Sequence, residues 1–153
     1  MPLVEEELLP ENLRHRAVKS GNEWGWRLDD VPLVAKACEK LGFAILRGQA
    51  QFYLPDGTCE MYWLKADPAE KKPNESWKEY SKRSCSEFLQ FFEALVERTD
   101  FEKEGTESFR FLKEKKAAGV NIKNYLCFII YPISEINYSQ LLSSKQVFRE
   151  LQL

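Results

Sequence analysis

The sequence predicts an α+β fold, a small and mainly antiparallel sheet packed against two or more helices. Three observations predict it. An aromatic stripe at helical spacing covers positions 74–98, an alternating polar and apolar pattern folds about Pro55-Asp56-Gly57, and two short apolar runs, 43–46 and 125–131, have the length of buried strands. With 153 residues, 44% hydrophobic and 30% charged, the chain has apolar material for one core and too little length for two ordinary domains.

Residues 1–21 read as an N-terminal arm ahead of a single domain, 22–153. The arm begins acidic at Glu5, Glu6, Glu7 and Glu11 and turns basic at Arg14, His15, Arg16 and Lys19, a block expected to be a solvated arm or short helix. Asp29 or Asp30 can cap a helix near 30–41, because a carboxylate accepts hydrogen bonds from the unpaired amides of a helix start, and Pro32 suits its first turn. Leu33, Val34, Ala37, Cys38 and Leu41 would form its apolar face, and Gly42 would end it.

Phe43-Ala44-Ile45-Leu46, between Gly42 and Gly48, reads as a short central strand covered on both faces. Gln49–Leu54 and Thr58–Leu64 then form a hairpin in which Pro presets φ and Gly57 accepts a positive φ. A three-residue loop would pair Leu54 with Thr58, whereas matching the apolar faces of Phe52 and Met61 favours a two-residue offset. The choice decides which way Trp63 faces. Asp67–Pro73 is a loop, and Asn74 caps the next helix, with Ser76 and Glu79 as an alternative capping box. Trp77, Tyr80, Ser84, Phe88, Phe91, Phe92 and Leu95 are its inward stripe. Thr106 caps a further helix to about Ala118, ended by Gly119. Tyr125–Tyr131 is a buried strand closed by Pro132, and residues 138–152 form a last helix with Leu141, Leu142, Phe148 and Leu151 inward.

Charge and composition narrow the function classes. A net charge of −2 gives no general attraction for phosphate backbones or anionic lipid, so neither nucleic acid nor membrane is an expected partner. The first residues lack the basic region and apolar core of a secretory signal, and no apolar run approaches a membrane span, so a soluble, cytoplasmic protein is expected. Cys38, Cys59, Cys85 and Cys127 are spread without a C-x-x-C pair and are expected as buried, reduced thiols.

Motifs for chemistry are few. His15 is the single histidine, in the charged arm, which leaves a Ser-His-Asp or Cys-His site without a partner nearby. The carboxylates show no metal-binding spacing and no glycine-rich phosphate loop is present, so no metal, cofactor or catalytic residue is assigned. Asp56, Glu60, Asp67, Glu70 and Glu75 cluster about the hairpin and the following loop. They can be a solvated rim, an acid–base pair, or a recognition surface that attracts a basic partner and buries an aromatic anchor. Trp77, on the inward stripe, is expected in the core, while Trp26 and Trp63 fit core or surface equally.

Asn22-Glu23-Trp24-Gly25, the helix opened by acidic residues, Gly42-Phe43-Ala44-Ile45-Leu46-Arg47-Gly48, Asp56-Gly57, Tyr62-Trp63 and Pro73-Asn74-Glu75-Ser76-Trp77-Lys78-Glu79-Tyr80 with Ser84 occur in that order. In this the chain resembles the bacterial immunity protein 40 family over roughly residues 22–96. It departs at Arg47, where a second small Gly is usual, and around Trp63, where the expected Asp/Asn and second aromatic are lacking, and the stretch 100–123 and the tail after Pro132 do not align. The resemblance implies a protein that binds and neutralises a cognate toxin of a polymorphic toxin system, without catalysis and without a cofactor. An alternative is a non-catalytic interaction or regulatory protein that binds another partner through the same acidic and aromatic surface. On either reading Asp56, Glu60, Trp63, Asp67 and Glu70 are the candidate partner-binding residues, the carboxylates steering and Trp63 anchoring.

Overall fold

The structure, a computed structural model, describes residues 3–151 and, in the last helix, side chains as far as Lys145. Its elements run α1 (Glu11–Arg16), β1 (Val18–Ser20), β2 (Glu23–Trp26), α2 (Val31–Lys40), β3 (Ala44–Leu54), β4 (Gly57–Ala66), α3 (Trp77–Arg98), α4 (Phe101–Ser108), α5 (Arg110–Ala117), β5 (Leu126–Ile133) and α6 (Glu135–Leu151). The strands form one sheet in the order β1-β2-β5-β3-β4, antiparallel at every pairing. The fold is α+β, as the sequence predicts.

One face of the sheet carries the main core. α3 crosses it at β3 and β4, with Phe88 and Phe92 against Phe128 of β5 at ring separations of 6.0 and 5.0 Å. Gly48 explains why β3 does not stop at residue 46. A Cβ there would lie 2.6 Å from the Phe88 ring and 2.7 Å from the Phe128 ring, so the glycine is an interior position where two aromatics press on the backbone. Ser84 ties α3 to the same strand by accepting the Ile45 N–H at 3.1 Å, and Ser81 donates its hydroxyl to the Phe43 carbonyl at 2.7 Å. Trp77, at the start of α3, donates its indole N–H to the Gly42 carbonyl at 2.8 Å and is half-buried against Tyr80 and Tyr138.

Several expectations are corrected. In α2 the inward residues are Val31, Val34, Ala35 and Cys38, a stripe rotated from the predicted one, and Leu33 and Leu41 are exposed. The cap of α3 is Ser76 in a reciprocal capping box with Glu79, not Asn74. Thr106 lies inside α4, its hydroxyl returned to the Glu102 carbonyl, while Asp100 caps that helix. Pro132 does not close β5 but sits within it, opposite Ile45, where β3 bulges between Ile45 and Arg47. The missing proline N–H is tolerated because β2 pairs only with Phe128 and Ile129, so this end of β5 has no second neighbour.

The segment before residue 22 is not a solvated arm. Leu9 and Leu13 are buried in the core, and the Trp26 indole donates to the Leu13 carbonyl at 2.8 Å. Glu5 is buried, its carboxylate accepting the Ser134 N–H at 3.1 Å and an Asn137 amide N–H at 2.6 Å. At the other end α6 packs through its first turns, at Asn137 and Tyr138, and leaves Leu141 and Leu142 exposed rather than inward. Phe148 and Leu151 lie outside the described side chains. All four cysteines are buried and free, with burial pushing the thiols of Cys85 and Cys127 up to about 12. No helix among the described residues is long and apolar enough to cross a membrane.

Candidate functional site

The five candidate residues follow one element, the edge strand β4, from its entry turn to its exit loop. Leu54 pairs with Gly57, so the turn is the two-residue Pro55-Asp56 and Phe52 and Met61 share the core face. Gly57 does not use a positive φ, which among the described residues occurs only at Gly21, Gly42 and Gly119. Its role is close approach: a Cβ on Gly57 would lie 2.7 Å from the Phe111 ring of α5. Asp56 is exposed at this tip and ion-paired with Lys115 of α5, whose hydrogen bond is the main cause of a carboxyl held below its usual range.

Glu60 stands opposite Gln51 on the sheet face away from α3 and is exposed. Its neighbourhood there includes Tyr131, whose hydroxyl donates to Glu23 and whose ring lies 4.7 Å beneath the Arg47 guanidinium. Burial, then the bond to Glu23, raises the Tyr131 phenol well above its ordinary value, and the charge of Glu60 adds to the shift.

Beyond Met61 the strand breaks register. Ala50 pairs with Met61 and the next β3 residue, Gln49, pairs with Lys65, so Tyr62, Trp63 and Leu64 are three extra residues in a bulge. The bulge turns Leu64 into the core, leaves Trp63 38% exposed and puts Tyr62 out at 69% exposure. Trp63 is held from behind: its ring stacks on Phe109 at 6.0 Å, and its indole N–H donates to Glu104 Oε2 at 3.3 Å. Tyr62 stands edge-on to it at 5.3 Å. The result is a braced indole beside a projecting phenol, both carried by an edge strand.

Asp67 and Glu70 lie past the end of β4, exposed, with Lys65 3.6 Å from Asp67. Their loop is fixed by Arg83 of α3. The Arg83 guanidinium uses all five of its N–H donors: two to Glu75 at 2.6 and 2.9 Å, one to the Ala69 carbonyl at 3.1 Å, one to the Glu70 carbonyl at 3.0 Å and one to Glu87. These bonds lower the Glu75 carboxyl to about 2 and raise Arg83.

The structure therefore sets the candidates along a line and does not gather them into a pocket. Because β4 spans only the six steps of β3 from Leu54 to Gly48, Asp56 and Asp67 lie about 20–25 Å apart at the ordinary rise per residue. Asp56 and Glu75 are committed to Lys115 and Arg83, so neither is an idle carboxylate waiting for a proton-transfer partner. Among the described residues no group of three or more His, Cys, Asp or Glu converges as a metal site would.

Tyr62, Glu104, Phe109 and Arg83 also belong to this surface, beyond the five candidates of the sequence. Tyr62 had a visible signal, since Met61-Tyr62-Trp63-Leu64 interrupts the alternation of a half-buried strand, as a bulge requires. Glu104 and Phe109 had none, because their tie to Trp63 spans more than forty residues. Comparison with known proteins adds no further constraint: no family model, curated protein or solved structure matches the chain.

Proposed function

We propose that this protein binds and neutralises a protein toxin in the cell that makes both, by contact and without catalysis, through the edge formed by β4 and its exit loop. The observation that carries the reading is the bulge at Tyr62–Leu64, which presents two adjacent aromatics on an otherwise polar edge, one of them braced by Phe109 and Glu104. Aromatic anchors that are rigid before binding lose little side-chain entropy on docking, and such residues dominate the energetics of protein interfaces. Glu60, Asp67 and Glu70 flank them as exposed carboxylates, suited to steering a basic partner. Arg83 supports this role by holding the loop that carries Asp67 and Glu70 in one conformation. The toxin assignment itself draws on the resemblance to immunity proteins over residues 22–96.

Co-expression with a toxin encoded beside this gene tests the proposal. The wild-type protein is expected to restore growth and to co-purify with the toxin. Replacing Tyr62 with Ala is expected to weaken the complex by about 2 kcal/mol or more, a hot-spot loss of roughly thirtyfold. The Asp67→Lys, Glu70→Lys double variant is expected to slow association and to lose protection as salt is raised. Full protection by both variants would remove β4 and its loop as the contact surface. A regulatory partner unrelated to toxins would leave growth unprotected while the same substitutions abolished its binding.

A further inference from the structure

We infer that the segment taken by β4 is an extended, basic strand that adds to the open edge of the sheet; this deepens the toxin-binding reading and rests on it only for which protein supplies the strand. The two-residue turn makes Leu54 and Gly57 a hydrogen-bonded pair, and the alternation of an antiparallel ladder then assigns the rest. Cys59 and Met61 exchange bonds with Phe52 and Ala50 of β3. Thr58 and Glu60, opposite Tyr53 and Gln51, turn their N–H and C=O groups the other way, toward the side on which the sheet has no further strand. Among the described residues, no other backbone group bonds to them. Both residues are exposed. An edge with outward donors and acceptors at alternate residues is the template on which an extended segment docks, main-chain bonds supplying affinity and side chains supplying selectivity.

The selectivity of this edge is for positive charge. Glu60 forms no ion pair among the described residues, and its side chain shares a face with whatever side chains an added strand would alternate beside it. Tyr62, immediately beyond, offers an exposed ring able to take an arginine or lysine by cation–π contact, with Glu104 behind its neighbour Trp63. A second copy of the chain fits less well. Two β4 edges paired antiparallel about Glu60 would set like carboxylates opposite one another, and the bulge at Tyr62–Leu64 would interrupt the ladder on both sides.

The probe is a synthetic peptide in which arginine alternates with threonine, together with its glutamate-for-arginine counterpart. The basic peptide is expected to bind the full chain, to change Trp63 fluorescence and to slow amide exchange at Thr58 and Glu60 by about tenfold or more; the acidic one is not. Thr58→Pro removes an outward N–H that the β3 ladder does not use, so it is expected to keep the fold and lose about tenfold in peptide affinity. Glu60→Lys leaves the backbone intact and is expected to reverse the preference, toward the acidic peptide. The inference is overturned if neither peptide binds, if the basic peptide binds without protecting Thr58 and Glu60, or if sedimentation shows a dimer in which the Thr58 and Glu60 amides are already protected. With the neighbouring toxin in place of the peptide, neutralisation accompanied by protection elsewhere than β4 would sink strand addition and leave the toxin reading standing. Peptide binding at β4 with no toxin neutralised would do the reverse.

Discussion

Gly57 and Arg83 frame the candidate surface, one at each end of β4, and each acts through a single contact set. At Gly57 the Phe111 ring occupies the space a methyl group would need. Gly57→Ala is therefore expected to destabilise the protein by about 1–3 kcal/mol through overpacking, read as a lower midpoint in chemical denaturation; an unchanged or higher midpoint would show that Phe111 yields freely. At Arg83 the measurable consequence is a pH dependence. Glu75 titrates at about 2 in the fold, below the ordinary 4.5, so its ion pair contributes stability that is fully present above that ordinary value and is lost as pH falls through about 2. Between those limits the unfolded chain binds the proton and the folded one does not, which makes stability rise with pH. Glu75→Gln is expected to remove that part of the slope, measured as unfolding midpoints across the acid range, and to loosen the loop carrying Asp67 and Glu70.

β3 and β5 are where elements depart from regularity together. β3 bulges between Ile45 and Arg47 opposite Pro132 of β5, and there the Ile45 N–H is accepted by the Ser84 hydroxyl of α3. A backbone donor at a sheet irregularity is thus satisfied by a helix side chain. Ser84→Ala should leave the buried Ile45 N–H without an acceptor and cost about 1–3 kcal/mol, with faster amide exchange at Ile45 as the local sign; a variant as stable as the wild type would mean that another acceptor moves in. The bulge of β4 belongs to the same scale. It converts a strand that would bury Trp63 or expose it by simple alternation into one that holds the indole half-exposed against α4 and α5.

At the scale of the whole molecule the N-terminal segment is a structural part of the fold: Leu9 and Leu13 enter the core, and Val18–Ser20 forms the edge strand β1. Leu13→Ala should cost about 2–5 kcal/mol, the loss for a buried leucine, whereas a truly solvated arm would tolerate it within a few tenths; thermal unfolding separates the two. The chemistry of the chain ends also joins here, since buried Glu5 caps the entry to α6 through Ser134 and Asn137. What could be read in advance follows from range. The stripe through Phe88 and Leu95, the hairpin about Pro55-Asp56-Gly57 and the α+β class depend on residues a few positions apart, where periodicity and local hydrogen bonding act, while the choice of Ser76 over Asn74 and of the two-residue turn was open until the fold fixed it. The sequence by itself determined those elements and the acidic, aromatic character of the stretch around β4. Only the tertiary structure decided that the first residues are core, that Gly48 and Gly57 are sites of aromatic contact, that Pro132 lies within a strand, and that Trp63 rests on Phe109 and Glu104. Each of those depends on which distant surfaces meet, and local propensity carries no information about that meeting.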